Sequence, residues 1–111
     1  MEQADFQHST DAILQQQICA IRNELQYELQ RLKGHALDHS GNAALYNNLA
    51  DQLKRVCEEV VNPDIIQALN NAIEHLHKAE HHTKANATNQ VILEHLQETN
   101  ASLFKARNIR A

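Results

Sequence analysis

Apolar residues return along this chain at alternating steps of four and three. Leu14, Ile18, Ile21, Leu25 and Leu32 form the first series, with Ser9, Thr10 and Asp11 ahead of it as capping oxygens. A repeat of about 3.5 residues marks a helical seam that packs against neighbouring helices at a shallow angle. Glu28 interrupts the seam, and Leu29 beside it is expected to cover the gap. Gly34 follows Arg31 and Lys33 and reads as a left-handed stop, so the first helix is expected over about 10–33. Residues 1–8 carry no such rhythm and are expected to form a flexible N-terminal arm, with 9–111 a single helical domain.

Both glycines fall in 34–42, which is therefore a loop, and Ser40 or Asn42 can cap the next helix. Tyr46, Leu49, Leu53, Val56 and Val60 then repeat the seam over a second helix of about 43–61. Asn62-Pro63-Asp64 punctuates the chain: proline clashes inside a helix, yet suits its first position, with Asn62 as cap. Ile66, Leu69, Ile73 and Leu76 carry a third helix over about 63–82. Beyond Leu76 the large apolar residues lapse until Val91, after which Ile92 or Leu93, Leu96 and Leu103 resume, with Phe104 alongside. Thr83–Thr88 reads as a turn, with Asn86 or Thr88 capping a fourth helix over about 88–107. No Gly or Pro enforces that turn, and the alternative is three helices, the last running over about 63–107. The preferred expectation is all-α: an antiparallel up-and-down bundle of four helices joined by short loops.

Composition supports this class. Two glycines and one proline in 111 residues starve turns and sheets, and with no Trp the core must be aliphatic. A net charge of −4 argues against nucleic acid, which needs a basic face. Lys105, Arg107 and Arg110 complement the negative end of a helix. No apolar run reaches the ~20 residues of a membrane span, and the acidic start lacks a signal-peptide pattern, so a cytoplasmic protein is expected. In that setting Cys19 and Cys57 are expected to be buried, reduced thiols.

The chemistry is concentrated in Glu74–His82, which holds half of the eight histidines. His77-x-x-Glu80-His81 matches an inverted zinc-peptidase pattern, but no third ligand or cleft accompanies it. Glu74-x-x-His77 is the pair that di-iron bundles use twice, and this chain has it once. Glu74, His77 and His81 remain the candidate metal ligands; the preferred reading of the run is a solvated helix face without a resident metal. His35 and His39 form a second pair, in the loop. Protonating all eight histidines would carry the formal charge from −4 to +4 near pH 6.5, which makes a pH response testable. There is no phosphate loop and no nucleophile–base arrangement, so neither an enzyme nor a cofactor is expected.

The surface says more. Asn and Gln make up about a fifth of the chain, among them Gln15, Gln16, Gln17, Gln26 and Gln30 on the first helix. Amides suit a wet protein interface, because they hydrogen-bond readily and cost less to desolvate than charges. A second stripe, Ile13, Ala20 and Tyr27, runs beside the first seam, and Ile65, Ala72 and Ala79 do the same on the third helix. Each stripe is either a partner face or a widened core. Ile13, Gln16, Ala20 and Tyr27 are the candidate partner-binding residues, with Tyr27 as anchor. The expected function is non-enzymatic: binding another protein and inhibiting, masking or chaperoning it, as a small bacterial intracellular inhibitor or secretion chaperone does. The alternatives are a metal-binding bundle using residues 74–82 and a self-associating assembly factor, a homodimer being its simplest form.

Overall fold

The computed structural model describes the backbone of residues 2–109 and the side chains of 12–109. Four helices, α1 (Glu2–Lys33), α2 (Ala43–Glu59), α3 (Pro63–Lys84) and α4 (Asn89–Asn108), make the chain 83% helical. They form an up-and-down bundle in which each helix packs on two neighbours and α4 closes back on α1. The result is a rod of 55 × 20 × 19 Å. α1 starts at Glu2 rather than near residue 10, while the arm expected over 1–8 falls outside the described side chains. α2 ends two residues earlier than expected, at Glu59, and leaves Val61 exposed.

The seams supply the core. Leu14, Ile18, Ile21, Leu25 and Leu32 of α1 are buried with Tyr46, Leu49, Leu53 and Val56 of α2. Leu69, Ile73 and Leu76 of α3 and Ile92, Leu96 and Leu103 of α4 complete it. Each such aliphatic side chain contributes about 1.5–3 kcal/mol by leaving water. The α3–α4 contact is the most extensive in the bundle and the α1–α2 contact the thinnest. The stripe of Ile65, Ala72 and Ala79 is core: both alanines are fully buried, and small side chains let two helix backbones approach closely.

The helix ends show where sequence rules hold. Asn42 caps α2 by accepting from Leu45 N–H, and Asn62 caps α3 by accepting from Asp64 N–H, with Pro63 at the first position. α3 is interrupted after Lys84, so the single long helix over 63–107 is excluded. Asn86 takes φ 60° and does what glycine usually does there. Ala87 N–H bonds His82 O at 2.9 Å and Asn86 N–H bonds Thr83 O at 3.1 Å, the paired closure of a left-handed helix end. Gly34, by contrast, has no positive φ. α1 ends instead in a simple turn, His35 N–H to Leu32 O at 3.0 Å.

Two polar networks fix the loop over 34–42. Glu28 does not leave a gap for Leu29 to cover; it is itself buried, accepting from Tyr46 Oη at 2.5 Å and from Arg31 Nε and Nη2 at 2.6 and 2.7 Å. Arg31 also donates to the Ser40 carbonyl at 2.7 Å. Burial, and then the hydrogen bond to the Glu28 carboxylate, push the Tyr46 phenol far above its ordinary range. The second network centres on Asn89, fully buried at the start of α4. Its Oδ1 accepts from Ser40 N–H at 2.9 Å, and its Nδ2 donates to His35 O and Ser40 Oγ, each at 2.9 Å. Thr88 makes no side-chain cap; the loop carbonyls of Asp38 and Ala36 take the Asn89 and Gln90 amides instead, at 2.7 and 3.0 Å. Gly41 allows this close approach, because a Cβ there would lie 2.6 Å from both Ile92 Cδ1 and Thr83 Oγ1.

Candidate functional site

The outer side of α1 carries the candidate partner-binding residues. Ile13, Gln16, Ala20 and Tyr27 are all exposed, with Tyr27 81% open to solvent. From Ile13 to Tyr27, fourteen helical steps, they spread along about 21 Å of helix, so they form a line and not a pocket. The two similar stripes therefore part company: on α3 it is core, on α1 it is surface.

Beside that line the bundle opens a groove of about 680 Å³ between α1 and α4. Asn23, Gln26, Gln30, Gln97 and Asn100 line it with amides, Leu29 and Leu93 add apolar surface, Tyr27 contributes its ring, and Lys33 is its one charged residue. Next to the groove Arg22 Nε donates to Asn100 Oδ1 at 3.1 Å while its guanidinium lies 5.0 Å from the half-exposed Phe104 ring. This cation–aromatic pair links α1 to α4 beside the groove. Ala20 instead lines a smaller groove of about 350 Å³ between α1 and α2, with Gln17, Gln52, Arg55 and Glu59.

The histidine run divides. Glu74 pairs with Lys78 at 3.3 Å, His77 with Glu80 at 3.5 Å, and His81 is exposed. Lys84, 3.0 Å from Glu80, holds that carboxyl below its ordinary range. The candidate ligands Glu74, His77 and His81 thus each have other partners, and among the described residues no group of three His, Cys, Asp or Glu could hold a metal ion. His75 and His82 turn the other way, onto His95 of α4. Spacing along the chain could not have found His95, since it joins the others only once α3 and α4 lie in register. Cys19 and Cys57 are free thiols, half-buried rather than fully so, and burial raises the Cys57 thiol.

No helix of the described residues is long and apolar enough to cross a membrane. Comparison with protein families, characterised proteins and solved structures found no match to this chain.

Proposed function

We propose that this bundle is a protein-binding module, with its partner docking along the α1–α4 groove and onto Tyr27. The observation that supports this most is the groove's lining: five amides and a largely exposed tyrosine beside two leucines, with Lys33 alone charged. Amides in such number favour a partner that offers hydrogen bonds, including main-chain groups, over one recognised by charge. Tyrosine suits the anchor position because its ring brings large area at low entropic cost. By covering a partner's active or immature surface, such a module would inhibit, mask or chaperone it.

A photo-crosslinking residue in place of Tyr27, compared with one in place of the exposed Gln67 on α3, tests the proposal in an extract of the source cell. The expected result is one discrete adduct from position 27, absent from position 67 and absent when Leu93→Glu is added. Its yield should be little changed between about 0.15 and 0.5 M salt, because screening acts on charges and the groove has few. Identical adducts from both positions would place the interface elsewhere. An adduct of twice the chain's own mass would favour self-association through the Ile13–Ala20–Tyr27 line.

A further inference from the structure

Three histidines from two helices meet at the α3–α4 interface near the turn that joins them. His82 stacks on His95 with ring centroids 5.0 Å apart and planes 14° from parallel, and His75 approaches His95 at 5.8 Å. His81 stands edge-on to His82, also at 5.8 Å. The Nδ1 atom of His75 is buried with no hydrogen-bond partner. The backbone seam beneath is built from small residues, including Ala72 and Ala79 on the face that helical spacing shares with His75 and His82.

We propose that this stack is an acid-sensitive latch on the α3–α4 hairpin: uncharged rings hold the helices together, and charging them drives the hairpin apart. Stacking at this distance suits neutral imidazoles, while two imidazolium rings face to face repel. The charged surroundings do not compensate. From α3, Lys78 adds a further positive charge near His95; from α4 itself, Glu94 acts in the opposite sense and more weakly. Burial first, and then His82, His75 and Lys78, push the His95 imidazole below its ordinary value.

Linkage sets the sign. A folded protein that refuses a proton accepted by the unfolded chain is fully stabilised above histidine's ordinary value of about 6.5 and loses stability as pH falls below it. Each proton refused lowers the folding equilibrium by up to about tenfold per pH unit.

Urea unfolding of the full chain, with chelator present, at about pH 7.5 and pH 5.5 tests the latch. The wild-type midpoint should fall on acidification; His95→Gln and His82→Gln should flatten that fall, and His77→Gln, outside the stack, should preserve it. Parallel falls in wild type and His95→Gln would overturn the proposal. Should His95→Gln not fold, NMR titration of the wild-type imidazoles decides it: a His95 ring that titrates at or above the ordinary histidine value also overturns it.

Discussion

Replacing Glu28 with alanine measures what the buried polar triad contributes. The carboxylate is 4% exposed and accepts from Tyr46 and, through two nitrogens, from Arg31. Glu28→Ala leaves the Tyr46 hydroxyl buried without an acceptor, which costs about 1–3 kcal/mol. Breaking a fully buried ion pair costs about 3–5 kcal/mol, but that figure is too high here. The Arg31 side chain is 45% exposed, so water and the Ser40 carbonyl can still satisfy it. The expected loss is therefore about 2–4 kcal/mol, a large share of the ~5–15 kcal/mol typical of a domain and about 9–17 °C in melting temperature. Tyr46→Phe should cost less, about 1–2 kcal/mol, because Arg31 still holds the carboxylate. Urea unfolding followed by far-UV circular dichroism, run as a double-mutant cycle, gives the coupling directly. Glu28→Leu combined with Tyr46→Phe removes both buried polar groups together and should unfold close to wild type or above it. A Glu28→Ala variant within about 0.5 kcal/mol of wild type would refute the reasoning, because surface substitutions fall in that range.

Three further outcomes are expected. The raised Tyr46 phenol contributes stability that is complete below tyrosine's ordinary value of about 10 and is lost as pH rises above it, so alkaline unfolding should be delayed in Tyr46→Phe relative to its own neutral stability. Asn89→Ala removes three buried side-chain hydrogen bonds and should destabilise by about 2–4 kcal/mol, with faster amide exchange at Ser40 as the local sign. Gly41→Ala should lose about 1–3 kcal/mol through its contacts with Ile92 and Thr83, whereas Gly34→Ala meets nothing within 4 Å and should be neutral or gain up to about 1 kcal/mol in thermal melts.

The helices were legible because their information is local. A seam such as Leu14-Ile18-Ile21-Leu25 states which face is buried without naming its partner, and Asn42, Asn62 and Pro63 act within one turn of their own positions. What escaped was decided at a distance. Glu28 breaks the apolar rhythm, yet Tyr46 waits eighteen residues on to receive it. Asn89 looks like an ordinary polar residue until the loop over 34–42 folds across it. Asn86 and Gly34 show the limit of residue preference: the amide took the left-handed position and the glycine did not need one. At the candidate interface, heptad spacing located Tyr27 and its line, but the groove beside it required α4, whose Leu93, Gln97 and Asn100 supply the other wall.

The Asn89 network also sets the connectivity of the folded state. Ser40 and Asn89 are 49 positions apart, so their hydrogen bonds close a ring that contains all of α2 and α3, with no covalent crosslink. For a flexible chain of that length, the length-dependent part of ring closure costs roughly 3.5 kcal/mol of entropy. α2 and α3 reduce that cost by shortening the segment left to fluctuate. Topologically the molecule is a closed two-helix loop with two tails, α1 and the body of α4. Those tails are the two walls of the amide groove, so the surface proposed for a partner is built from the parts of the chain outside the ring.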